Sequence, residues 1–238
     1  MKLYTGTEPQ PDHAADALLR PGTLHRRNFL RAAGASVVGT SALLAACKKD
    51  DNNQPPANLG VNLGAGDVGI LNYAYALEQL EAAFYTQVIQ TQFSGITAAE
   101  TALLTDIRDH EVIHREFFRK ALGENAIDNL EFNLSGINFA DRASVLNTAK
   151  TFEDLGVAAY NGAGRLITSP AYLTIAGKIV SVEARHAAYI RNLLSFGTFA
   201  DSTAVDANGL DMAKDPATVL QAAAQFIKTR IDFSSLPK

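Results

Sequence analysis

A single cysteine, Cys47, stands in 238 residues. No disulfide can form within the chain, and no cysteine-ligated metal cluster can be built from it. A basic excess is also missing: 21 Lys and Arg against 25 Asp and Glu give a net charge of −4. That balance carries no footprint for nucleic acid, and no nucleic-acid partner is expected. Prolines number eight and fall mostly outside the periodic segments. The apolar run from Ala32 to Ala46 stops short of the ~20 residues that a bilayer-spanning helix needs. What is present is ordinary globular material, 47% hydrophobic and 19% charged, which excludes disorder over the whole chain. The length permits one large domain or two small ones.

Residues 1–31 are polar and end in His25-Arg26-Arg27-Asn28-Phe29-Leu30-Arg31, just before the apolar run. The pattern reads as a signal peptide. Arg26 and Arg27 resemble the pair of a twin-arginine export signal. Leu44-Ala45-Ala46-Cys47 resembles a bacterial lipobox, which implies lipidation of Cys47 as the new N-terminus. Residues 1–46 are therefore expected to be a signal peptide, and 47–66 a lipidated Cys with a flexible tether rich in Pro, Asn and Gly. The expected destination is the bacterial cell envelope, with the protein lipid-anchored on the periplasmic side or the cell surface. Membrane contact would run through Cys47.

From residue 67 to 238 the pattern is helical. Apolar residues recur at helical spacing over 67–92, 97–123, 142–166 and 170–196. Thr97-Ala98-Ala99-Glu100 has the form of a capping box. Asp141 is a cap candidate, and Ser169-Pro170 offers a cap followed by proline at the first helical position. A fifth helix is expected over 216–230, behind Asp215. Short links join the first two helices and the last two long ones, so each pair should be an antiparallel hairpin. Residues 123–141 separate the hairpins and are long enough to return along the bundle. The expected fold is all-α: a four-helix bundle with one long crossover between two hairpins, plus a C-terminal helix.

The apolar stripes are interrupted by ionisable residues. Glu78 and Glu81 lie among Leu77, Phe84 and Val88; Glu111 and His114 lie between Ile107 and Phe118. Glu153 follows Phe152, and Glu183 and His186 lie between Ile179 and Ile190. A buried, unpaired carboxylate costs several kcal/mol or takes up a proton. Cations in their midst would compensate several of them at once. Glu111-x-x-His114 and Glu183-x-x-His186 each put a carboxylate and an imidazole on one helix face. One Glu from each of two helices, with Glu-x-x-His from each of the other two, is the ligand plan of dimetal carboxylate bundles. The candidate ligands are Glu78, Glu81, Glu111, His114, Glu153, Glu183 and His186. Glu78 and Glu81 are one turn apart, so either or both can serve. Tyr85, His110, Tyr160 and Tyr189 are candidates for holding the ligands in place, and core packing is the alternative for the tyrosines. Glu78 precedes Tyr85 by seven residues, as Glu153 precedes Tyr160; that parallel favours Glu78 over Glu81 as the counterpart of Glu153.

Four segments carry a resemblance: Leu77-Glu78-Gln79-Leu80-Glu81-Ala82-Ala83-Phe84-Tyr85, His110-Glu111-Val112-Ile113-His114, Phe152-Glu153-Asp154-Leu155-Gly156-Val157-Ala158-Ala159-Tyr160 and Val182-Glu183-Ala184-Arg185-His186-Ala187-Ala188-Tyr189. They resemble the core helices of the ferritin-like domain family that includes bacterial desiccation-related proteins. The likeness implies a ferritin-like bundle with a carboxylate-bridged centre of two Fe or two Mn ions per chain. It implies oxygen, peroxide or Fe(II) as small substrates in ferroxidase-like or catalase-like chemistry; manganese catalases resemble the same ligand plan. A non-enzymatic desiccation or stress scaffold, with a structural or degenerate site, is the other reading. The tandem Glu78 and Glu81 depart from the single Glu of ferritins. Oligomers are allowed, but a closed cage is not expected of subunits that each carry a lipid anchor and tether.

Overall fold

The computed structural model describes residues 60–238. Arg26, Arg27 and Cys47, on which the export and lipidation readings rest, lie outside the described residues.

Four long helices carry the fold: α1 (Gly66–Gln90), α2 (Ala98–Leu122), α3 (Arg142–Gly164) and α4 (Pro170–Leu194). At 23 to 25 residues each, they are about 35 Å long. Their starts follow local chemistry. Thr97 and Glu100 form the full capping box, each side chain accepting from the other's backbone N–H. Asp141 caps α3 through Ser144 N–H, and Ser169 caps α4 with Pro170 in its first turn. α1 and α2 pack as one hairpin, α3 and α4 as the other, and α1 also packs against α3.

Residues 123–141 form the long crossover between the hairpins. Two buried amides of α1 hold it along the helix. Asn72 donates to the carbonyls of Leu63 and Asn125 and accepts from Ile127 N–H. Gln79 accepts from Leu130 N–H. These bonds satisfy backbone groups that would otherwise be buried unpaired. They also explain why α1 is buried on most of its circumference. At the other end of the crossover, Ser94 N–H donates to Ala140 C=O, beside the α1–α2 turn.

Two sequence expectations need correction. The fifth helix is α5, Pro216–Ala223, and does not run to 230. Beyond it the backbone turns to the crossover: Lys228 N–H donates to Glu131 C=O, and Ile227 bridges Phe132. The chain then forms β2 (Ile231–Asp232), parallel to β1 (Val61–Asn62). The end of the expected tether is therefore folded onto the domain. Leu63 is fully buried, and Val61 N–H donates to Arg230 C=O.

Residues 195–214 run down the outside of α3 and α4. Lys214 N–H donates to Ala158 C=O, and this backbone lies directly on Gly162, where any Cβ would overlap it. The glycine in mid-helix is thus required by close approach of another strand of chain.

Candidate metal centre

Six of the seven acid and imidazole residues singled out from sequence converge on one level of the bundle. Glu78 comes from α1, Glu111 and His114 from α2, Glu153 from α3, and Glu183 and His186 from α4. All four of these glutamates are fully buried. The helical period explains the convergence: Glu and His three residues apart share a face, and the apolar stripe turns that face inward.

The donor atoms form two overlapping groups. One joins Glu78, Glu111, His114 and Glu183; the other joins Glu111, Glu153, Glu183 and His186. Within each group, one ligand atom from every member lies within 4.8 Å of the rest. Glu111 and Glu183 belong to both, as bridging carboxylates would. His114 Nδ1 stands 2.9 Å from Glu183 Oε1 and 3.4 Å from Glu78 Oε2. His186 Nδ1 stands 2.9 Å from Glu111 Oε1 and 3.5 Å from Glu153 Oε2. The pattern has an approximate two-fold symmetry that exchanges α1 with α3 and α2 with α4. Two tyrosines follow it: Tyr85 Oη donates to Glu153, and Tyr160 Oη donates to Glu78.

The donor set fits cations. Both oxygens of Glu111 and of Glu183 are buried without a hydrogen-bond partner, as are Glu78 Oε2, Glu153 Oε2 and both Nδ1 atoms. These atoms are close to one another, yet their contacts lack hydrogen-bond geometry. Native structures rarely leave so many buried polar atoms orphaned in one place. Two like charges 4 Å apart repel by about 4 kcal/mol at the effective dielectric of a protein. Without metal the cluster answers by taking up protons. Burial, and then the charge of Glu183, raises Glu111 well above the carboxylate range, and the same two causes raise Glu78. Burial, opposed by His186, pushes Glu153 up to about 7. Burial disfavours the charged imidazoles, but the carboxylates around them outweigh it and hold His114 and His186 up to about 12. Carboxylate oxygens with two imidazoles suit hard, redox-active Fe and Mn.

The family model of the ferritin-like domain matches residues 66–195. The chain belongs to the ferritin-like domain family. No curated protein matches it. The matched span runs from the start of α1 to the end of α4, so the family domain is the bundle that holds the site.

The remaining expected site residues take different places around this ferritin-like core. Glu81 is buried but stands in neither donor group. Its carboxylate lies against Gly156 of α3, where an added Cβ would come within 3.0 Å of Oε1. Gly156 is three residues after Glu153, as Glu81 is after Glu78, so the two face each other at the symmetric level. The fold thus breaks its two-fold symmetry to fit one extra acid. His110 is exposed, yet its Nδ1 lies 2.9 Å from His186 Nε2 and its ring stacks on the His186 ring. Tyr189 is not at the centre, being 44% exposed. Tyr85 follows Glu78, and Tyr160 follows Glu153, by seven residues, about 20° from the same face of the helix. Tyr189 follows Glu183 by six, about 120° away, and so points outward.

One buried charge escaped the sequence reading. Arg191 of α4 is 2% exposed and makes two bonds to Asp154 of α3. It also donates to Asp201 and Thr203. The signal was present: Arg191 sits beside Ile190 at the end of the apolar stripe. It ties the 195–214 segment to the back of the site-bearing helices.

Proposed function

We propose that this ferritin-like protein binds two iron or two manganese ions per chain and uses them in oxygen, peroxide or Fe(II) oxidation chemistry in the cell envelope. The observation that carries the reading is the convergence of buried, hydrogen-bond-orphaned donor atoms in two groups that share Glu111 and Glu183. Glu78 and His114 would complete one metal position, and Glu153 and His186 the other. Bound Fe or Mn supplies one-electron oxidation and reduction there. Tyr85 and Tyr160 hold the two unshared carboxylates. Burial, and then the neighbouring carboxylates, keeps both phenols well above their usual range, so each retains the proton it donates. The buried, mostly apolar surroundings of the site suit a small, uncharged substrate such as oxygen or peroxide. Among the described residues no helix is long and apolar enough to cross a membrane, and the envelope reading rests on the Arg26-Arg27 and Cys47 signals.

Elemental analysis of the purified protein should find two equivalents of Fe or Mn per chain. Oxygen or peroxide should change the absorbance of the loaded protein. Glu111→Ala and Glu183→Ala should each lose both metals, because each bridge serves both positions. A folded wild-type protein that takes up neither metal would overturn the proposal. Metal without turnover would assign the site a structural role in a stress-related scaffold. Cys47→Ser should move the protein from the membrane fraction to the soluble fraction.

A further inference from the structure

The two donor groups are alike in their ligands and unlike in what stands behind them. His186 directs Nδ1 at Glu111 and Glu153, and Nε2 at His110 Nδ1, 2.9 Å away. His110 immediately precedes the first Glu-x-x-His motif. The residue that precedes the second motif, and is its equivalent under the two-fold symmetry, is Val182. Valine has no side-chain group to accept a hydrogen bond. One ligand imidazole therefore has a ring nitrogen behind it that the symmetry does not provide for the other.

We propose that His110 is a positioning residue that makes the two metal positions unequal, the Glu153–His186 position being the tighter. The inference rests on the dimetal reading above. A neutral imidazole that offers Nδ1 to a cation carries its proton on Nε2. His110 Nδ1 is placed to accept that proton's hydrogen bond, with its own proton on Nε2 toward solvent. Such a bond fixes the tautomer, restrains the ring and makes the ligand nitrogen a better donor. Stacking of the two rings, with centroids 5.1 Å apart and planes 9° from parallel, restrains it further. Loss of a partner of this kind lowers metal affinity about 10- to 100-fold.

The test is titration of the metal-free full chain with Mn(II) by calorimetry, and with Co(II) by visible absorption. Wild type should bind two equivalents in unequal steps. His110→Ala should weaken the tighter step about 10- to 100-fold and leave the weaker one in place. His110→Asn, whose carbonyl oxygen can take the place of Nδ1 as acceptor, should restore most of the loss. Because His110 is exposed, all three proteins should fold, and thermal melting without metal would read any change in stability separately from metal affinity. Two equivalents bound as tightly by His110→Ala as by wild type would overturn this inference and leave the dimetal reading intact. So would a loss that His110→Asn does not restore, since ring packing rather than the acceptor would then be responsible. No uptake by wild type would overturn both.

Discussion

Glu81 and Gly156 form a matched pair. An acid one turn beyond Glu78 is buried where its symmetric partner has no side chain at all. The Gly156→Ala substitution tests how tightly the pair is fitted. Its Cβ would stand 3.0 Å from Glu81 Oε1, closer than an ordinary contact, so the carboxylate must give way by a few tenths of an ångström. Burial, and then the nearby Glu111, Glu183, Glu153 and Glu78, already raises the Glu81 carboxyl well above its usual range. We expect Gly156→Ala to cost about 1–3 kcal/mol, the range for overpacking a core. In a Glu81→Ala background the same substitution should cost clearly less, and urea unfolding of the four proteins would measure the difference. Equal cost in both backgrounds would mean that Gly156 answers to the helix backbone and not to Glu81.

The elements hold the centre through a few polar clasps. α1 carries the crossover on Asn72 and Gln79. Asp67, near the start of α1, accepts from Thr168 and Ser169 at the α3–α4 turn. Arg191 binds α4 to α3 through Asp154, and to the following segment through Asp201 and Thr203. Replacing Arg191 with Met should cost about 2 kcal/mol, in the range for hydrogen bonds to charged groups. Asp154 and Asp201 are partly exposed and can recover water, which keeps the figure below that of a fully buried pair. Hydrogen exchange should show residues 195–214 losing protection first, before α1 and α2. Uniform loss over all four helices would show instead that the clasp supports the bundle as a whole. The six converging acid and imidazole residues and the four long helices were legible from sequence because both follow the helical period. Glu111 and His114 are legible on a single face of a single helix. The end of α5 and the β1–β2 pairing were not, because their hydrogen bonds join residues far apart in the chain. Asn62, for instance, donates to Asp232, and no local pattern at either position announces the other. Glu81 was visible as an acid on an apolar stripe. Its place outside the donor groups depended on Gly156, on a different helix.

At the scale of the whole molecule, the buried cluster couples protons to folding, and metal bound there would join the same linkage. Without metal, His114 and His186 are held up to about 12 against an ordinary 6.5, and Glu153 is pushed up to about 7 against 4.5. All three bind protons more tightly folded than unfolded. Their stabilising contribution is full below the unfolded values and fades as pH rises through the folded ones. For Glu153 the fading window is about pH 4.5 to 7; for the imidazoles it lies above about 6.5. Glu183 works in the opposite sense. Burial opposes its charge, but His114 and His186 bring it down to about 2, so its contribution is lost only in acid, below about pH 4.5. Between about pH 5.5 and 8, metal-free stability should therefore fall as pH rises. Metal ions bound at the cluster would replace these protons, so their affinity should rise over the same interval. A metal at 100 times its dissociation constant adds about 2.7 kcal/mol. Thermal melts should show the metal-free midpoint falling from pH 5.5 to 8, and Mn(II) raising it by a larger margin at pH 8. An equal margin at both pH values would mean that metal displaces no protons and would overturn the coupling.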